Sequence, residues 1–235
     1  MTAPYLSVVL PCRDQADHIE RVLASYAEPL QAVSGGYELV VVPNACRDAT
    51  PEIVAALAAR DPRMRIVDNP EGGWGLSVLT GLAAARGRML CYTNTARTDP
   101  RQVPALLAAA ERAGGCIAKV RRVHRGAAVR EIGSWLYNLE ARIVLGIHAG
   151  DVNGTPKIFP RGVYDRLALE SAGDLLDLEL LAKARRLAVP VVEMPVEGFA
   201  RHGGRSRTGL TSAWRMYSGA FRLRRTLAGF APPPR

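Results

Sequence analysis

The sequence predicts an α/β protein: a doubly wound, mostly parallel sheet flanked by helices, with an amphipathic helix at the C-terminal end. Three observations predict it. Short β-branched runs alternate with segments whose apolar residues recur at helical spacing. Three of the runs end in loops rich in Pro, Asn, Asp and Thr, where a parallel sheet places its ligand crevice. And 235 residues, 48% of them hydrophobic and 23% charged, suffice for one packed domain with a small appendage.

The elements follow in order. YLSVVL (5–10) is β-branched and stops at Pro11, which predicts a buried strand. Residues 16–26 place Ile19, Val22 and Leu23 at helical spacing. YELVVV (37–42) is a second strand, ending at Pro43-Asn44. Thr50-Pro51-Glu52 opens a helix, with a capping hydroxyl followed by Pro in the first turn. RIV (65–67) is a third, short strand. NPEGGWG (69–75) is a glycine loop that leads into a helix reaching about Ala85. RMLCY (88–92) is strand four; residues 99–113 are helical; CIAKV (116–120) is another strand.

The second half is less regular. Residues 129–146 read as a helix with an Arg face, 155–160 as a strand and 175–188 as an amphipathic helix. PVVEMPV (190–196) is a strand that its prolines place at an edge. FARHGGRSRTG (199–209) is a basic, glycine-rich loop. Residues 211–230 form a last helix, with Trp214, Met216, Tyr217, Phe221 and Leu227 on one side and arginines on the other. The division expected is a domain over 1–210 and a helix with tail over 211–235.

Net charge is +9, and only Lys119, Lys157 and Lys183 among 31 basic residues are lysine. Arginine-rich composition has two readings: codon bias, or a phosphate-bearing partner gripped by guanidinium forks. Nucleic acid is disfavoured as that partner, because no basic stripe is interleaved with aromatics. The four cysteines lack metal-type spacing and are expected to be reduced thiols. LSVVL is too short for a leader, and no apolar run approaches the roughly 18 residues of a spanning helix. A cytoplasmic location is expected, with peripheral contact at the inner membrane face as its extension.

Several chemistries find no motif. The turn after the first strand, PCRDQ, has no glycine, which disfavours a dinucleotide-binding hydride-transfer enzyme. No P-loop, HExxH or G-x-S-x-G is present. Five blocks in order do carry a resemblance. LSVVLPCRDQADHIERVL, YELVVVPNACRDAT and GGWGLSVLTGLAAARGRMLCY resemble three successive blocks of family-2 glycosyltransferases. DVNGTPKIFPRGVYDRL and DLLDLELLAKARRLAVPVVEMPVEG, with a GGRSR loop after them, resemble the polyprenol-phosphate sugar synthases of that family. The resemblance covers about residues 5–210.

It implies a GT-A fold that transfers a sugar from a nucleotide diphosphate sugar to an acceptor, with a polyprenyl phosphate lipid as the acceptor. Base-binding positions fall on Pro11, Cys12, Asp14 and Asn44; Asn44 is also readable as a turn residue and Asp48 as a helix cap. Gly73 and Gly75 stand in the glycine block, and with Thr93, Asn94 and Thr95 they belong to the donor side. The family's D-x-D metal motif falls on Thr93 and Thr95, and hydroxyls replace carboxylates poorly on a hard dication. No required cofactor is therefore expected, with Mg²⁺ or Mn²⁺ left open. Asp99, before Pro100, reads first as a helix cap.

Arg97, Arg130 and Arg205 are the candidate replacements for the dication's charge. Ser134 shares a helix face with Arg130 and, with Lys157, falls on the acceptor side. Asp177 and Glu179 fall where relatives place an acid near the acceptor, so Asp177 is the candidate base; a solvated helix face is the other reading of both. His202 and Arg205 lie in the loop that relatives close over donor phosphates. The alternative function is a degenerate transferase that binds a nucleotide sugar or a partner without turnover. Oligomeric state stays open.

Overall fold

The computed structural model describes residues 3–123, 128–197 and 210–231; the side chains of 128–132 and 210–218 lie outside that description. The N-terminal half alternates strand and helix: β1 (Leu6–Cys12), α1 (Ile19–Ala24), α2 (Ala27–Leu30), β2 (Tyr37–Pro43), α3 (Thr50–Ala58), β3 (Met64–Ile66), α4 (Trp74–Ala84), β4 (Met89–Tyr92) and α5 (Gln102–Ala113). The second half adds β5 (Ile117–Arg122), α6 (Ala128–Leu145), β6 (Lys157–Pro160), α7 (Arg161–Leu167), α8 (Leu176–Arg186), β7 (Val191–Val196) and α9 (Leu210–Ala228). One seven-stranded sheet results, in the order β3-β2-β1-β4-β6-β5-β7.

The fold is doubly wound because β1 is buried on both faces. Leu6, Val8, Leu10 and Cys12 enter one core with α1, α2, α3 and α5. Val9 points into the other, with α4, α6, α8 and α9. Alternation along a fully buried strand thus feeds two helical layers. Ala220, Leu223 and Leu227 of α9 belong to that second core, so the C-terminal helix is packed against the domain.

Strand β6 is the antiparallel member, pairing Tyr92 with Lys157 and Met89 with Pro160. The reason is the connection before it. After α6 the chain turns at Gly146 and climbs back along β5, where Val120 donates its N–H to Pro156. No helix returns it to the far end, so β6 starts beside the crevice and runs down. β7 is the edge strand expected from its prolines.

Other expectations are corrected. The helix read over 16–26 is the shorter α1, Ile19–Ala24, which breaks at Ser25-Tyr26 before a separate α2 that the sequence reading does not include. Thr50 is not the cap of α3 but its first residue, and its N–H and hydroxyl are both held by Asp48 Oδ1. Helix α7 is missed: the sequence reading assigns no element to RGVYDRL, and Val163 and Leu167 bury its inner side.

Candidate active site

The carboxyl ends of β1, β2 and β4 lie side by side, and their loops are tied to each other by main-chain groups. Asn44 donates its N–H to Cys12 O, and Arg47 its N–H to Asp14 Oδ1 at 2.7 Å. Ala16 donates to Asp48 Oδ2, and Gln15 to Thr50 Oγ1. Thr95 donates its hydroxyl to Pro11 O at 3.0 Å. Three loops thus form one crevice wall.

Among the described residues three buried polar atoms of that wall have no hydrogen-bond partner: Gln15 Oε1, and the pair Asn44 Oδ1 and Arg13 Nε. Arg13 makes only a loose ion pair with Asp14, at 4.0 Å. Gly72, at φ +78, roofs the pair; a Cβ there would stand 3.5 Å from Asn44 Oδ1 and 3.8 Å from an Arg13 terminal nitrogen. An acceptor and a donor therefore face one gap, and leaving buried polar groups unpaired costs about 1–3 kcal/mol each. Pro11 and Cys12 are buried wall residues, and burial raises the Cys12 thiol's pKa far above the usual range. Arg13 and Gly72 escaped the sequence reading, which attended to their neighbours; the unexplained cation in PCRD was the available signal.

Thr93 and Thr95 are buried, and their hydroxyls are hydrogen-bonded. Thr93 Oγ1 bonds Thr98 Oγ1 at 2.6 Å, and Thr95 binds Pro11 as described. Asn94 Oδ1 accepts the Ala96 N–H. Thr95 thus spends its one donor on Pro11, whereas the Asn94 amide N–H groups, and the Thr93 hydroxyl where Thr98 donates, are left for a phosphate. Arg97 is half-buried in the same turn. Asp99 accepts from the main chain and guanidinium of Arg101, but Arg101 itself stands at the N-cap of α5 and no side chain caps the helix, so Asp99 is not its cap.

A carboxylate-rich group does exist among the described residues: ligand atoms of Asp14, Cys46 and Asp48 lie within 4.8 Å of one another. Its carboxylate oxygens already accept the N–H groups of Arg47, Ala16 and Thr50. The donor set at the strand ends fits loop closure better than a hard dication, which prefers uncommitted anionic oxygens.

Below the crevice lies a buried ion pair. Lys157 Nζ donates to Asp177 Oδ1 at 2.5 Å, and Tyr92 donates its hydroxyl to the same oxygen at 2.7 Å. Asp177 and Lys157 are 4% and 0% exposed, so neither presents itself to a ligand. Burial lowers the Lys157 ammonium to about 8, against the opposing pull of Asp177. Glu179 is buried too, which overturns the solvated-face reading: it accepts the N–H groups of Glu170 and Ser171 and pairs with Lys183.

Glu179 thereby pins the loop that packs on the glycine block. Leu76 donates its N–H to Ala172 O at 2.7 Å, and a Cβ on Gly75 would meet Ser171 O at 2.2 Å. The close approach that demands glycine at 75 is made by the protein's own backbone. Gly75→Ala is expected to destabilise by about 1–3 kcal/mol, because a carbonyl cannot yield as a side chain can; urea unfolding checks it.

Asn138 holds the 150–152 turn, accepting from Val152 N–H and donating to Gly150 O. Ser134 is half-buried on the same helix. His202 and Arg205 lie outside the described residues, as does the side chain of Arg130.

Comparison with known proteins follows this geometry. Residues 7–168 match the family profile described as Glycosyl transferase family 2. Glycosyltransferase AglD of Haloferax volcanii is 30% identical over 203 residues, covering 82% of this chain and 32% of the relative. An undecaprenyl-phosphate 4-deoxy-4-formamido-L-arabinose transferase of Pseudomonas fluorescens is 22% identical over 200 residues, 84% of this chain and 54% of that protein. The chain thus spans about a third to about half the length of these two. Glucosyl-3-phosphoglycerate synthase from Mycobacterium tuberculosis, solved with Mn²⁺, uridine diphosphate and glucosyl-3-phosphoglycerate, shares the fold: TM-score 0.71 at 23% identity, over 98% of this chain and 81% of that one.

Proposed function

The chain belongs to glycosyl transferase family 2, and from that premise we propose that it binds a uridine or guanosine diphosphate sugar in the crevice and transfers the sugar to a polyprenyl phosphate. The observation that carries the donor reading is the partnerless Asn44 Oδ1 beside the partnerless Arg13 Nε. Uracil offers a ring N–H between two carbonyls, and guanine offers a ring N–H beside one. Either base answers both groups at once, with its ring N–H for Asn44 Oδ1 and a carbonyl for Arg13 Nε; cytosine and adenine would have to use an amino N–H and a ring nitrogen, so the nucleotide panel decides the base.

The acceptor reading is supported by the name of the undecaprenyl-phosphate relative. In the proposed step an acceptor phosphate oxygen attacks the anomeric carbon in line. The bond from that carbon to the diphosphate breaks, and the nucleoside diphosphate leaves with the electron pair. A phosphate acceptor is already ionised, so no base is needed. That accords with an Asp177 whose carboxylate is engaged by Lys157 and Tyr92. Arg97, Arg130 and Arg205 are proposed to offset the leaving group's charge without a metal. Binding without turnover is the second reading, favoured by the internally bonded hydroxyls of Thr93 and Thr95; product formation from a radiolabelled donor separates the two.

The donor site is tested by thermal shift. At ~100 times the dissociation constant a UDP or GDP sugar is expected to add about 2.7 kcal/mol. Asn44→Leu should remove about 1–3 kcal/mol of that. No response to either nucleotide class, or equal response to CDP and ADP sugars, refutes the assignment.

A further inference from the structure

The outer face of α6 is apolar where a surface helix should be polar. Trp135, Leu136, Leu139 and Ile143 are 62%, 44%, 37% and 73% exposed. At 3.6 residues per turn they occupy roughly 100° of the helix circumference, opposite the buried Tyr137 and Ala141. Phe221 of α9, the helix packed beside α6, is 58% exposed as well. Contiguous apolar exposure of this kind marks a surface that meets something.

What it meets is indicated by charge. At the lower end of the stripe Ile143 shares a cavity of about 360 Å³ with Leu227 and three arginines, Arg185, Arg186 and Arg224. Among the described residues no carboxylate lines that cavity. Arg185 rests against Gly146 at the end of α6, which suits the helix C-terminus, but Arg186 and Arg224 converge there from α8 and α9. Arg142 flanks the stripe on one side, exposed. On the other, Glu140 is half-buried and its carboxyl is raised by burial. An apolar strip with an arginine cluster at its end matches the acyl boundary and phosphates of an anionic bilayer. A second copy of a chain carrying +9 would bring like charge to the same arginines. No described helix is long and apolar enough to cross a membrane, so the contact would be at the surface.

We propose that the α6–α9 face docks on an anionic bilayer, the α6 stripe entering the interface and Arg186 and Arg224 binding lipid phosphate. The orientation is useful. β5 ends on the crevice side, α6 starts soon after it, and α6 ends beside Arg185 at the far end of α8. The stripe therefore runs along the flank of the domain, with its first turns next to the crevice. In α9 Leu223 and Leu227 face the core, so they are not part of the face offered to lipid.

The inference stands apart from the donor and acceptor assignments, since docking requires neither. The test is co-sedimentation of the whole chain with phosphatidylcholine vesicles, with or without phosphatidylglycerol, across a salt series. Binding is expected only with phosphatidylglycerol, and to weaken as salt rises. Trp135→Glu with Ile143→Glu should lower affinity roughly tenfold or more. Arg186→Ala with Arg224→Ala should lower it roughly fivefold for each arginine. All four positions are on surfaces, so the melting temperature checks that each variant folds. Absence of binding to phosphatidylglycerol vesicles, or equal binding by both double variants, overturns the proposal. So does a wild-type dimer that both variants dissociate, which would make a second copy the occupant.

Discussion

Asp177→Ala is expected to destabilise the protein by about 3–5 kcal/mol, because it strands the ammonium of Lys157 in the core. Lys157 is fully buried, and its nitrogen and the Tyr92 hydroxyl converge on one Asp177 oxygen. Removing the carboxylate leaves a buried charge and a buried donor unpaired, and neither has water to turn to. Lys157→Met in the same background should restore much of the loss, because an apolar pair of similar volume avoids the desolvation. A double-mutant cycle by chemical denaturation measures the coupling. Additive losses would show that the pair does not hold the crevice floor. The same geometry separates stability from catalysis: the double variant that regains stability should also regain nucleotide binding, since neither side chain faces the gap at Asn44.

The N-terminal half was legible because β1, β2 and β3 carry β-branched residues in short runs, β4 is a short apolar run, and β1's alternation feeds both helical layers. The antiparallel β6 was not legible from periodicity. Its direction depends on where the chain lies when residue 157 is reached, and that is set by the packing of 147–156 along β5. Helix α7 follows β6 without a linker, so no turn residue announces it.

Of the site, the convergence of the strand-end loops followed from topology alone. Its polar detail did not. Gly73 and Gly75 signalled close backbone approach correctly in kind, but sequence cannot say whether a phosphate or residues 171–173 make the approach. Asp177, Glu179 and Lys157 stood out because the resemblance puts them on the acceptor side. Here each meets its partner from a distant segment: Asp177 with Tyr92 and Lys157, Glu179 with the main chain at 170 and 171. Spacing along the chain carries no trace of such pairings. The orphaned edge at Asn44 needed the burial of the Arg13 Nε atom and the position of Gly72 before it stood out.

Arg97→Ala is expected to lower kcat by about 10²–10³-fold, while EDTA leaves the wild-type rate unchanged. A leaving diphosphate carries at least two negative charges, and a fixed positive group in a water-poor cleft stabilises them most as the bond breaks. At the strand end the two positions that would bring a dication are Thr93 and Thr95, whose hydroxyls bond Thr98 in the turn and Pro11 on the neighbouring strand. Arg97 stands two residues beyond, half-buried on that turn. The turn is held shut by Asn94 and Thr98, so the arginine is carried on a rigid support. Its charge is permanent at any working pH, and its fork suits paired phosphate oxygens. Arg97→Lys should recover only part of the rate, because a point charge cannot engage two oxygens in that geometry. The donor KM should change less than kcat, since the stabilised charge develops in the transition state. The measurement is steady-state transfer with and without EDTA for wild type and both variants. A rate that requires Mn²⁺ or Mg²⁺ and survives Arg97→Ala would place the charge on a metal held by ligands outside this turn, and would remove Arg97 from the reaction.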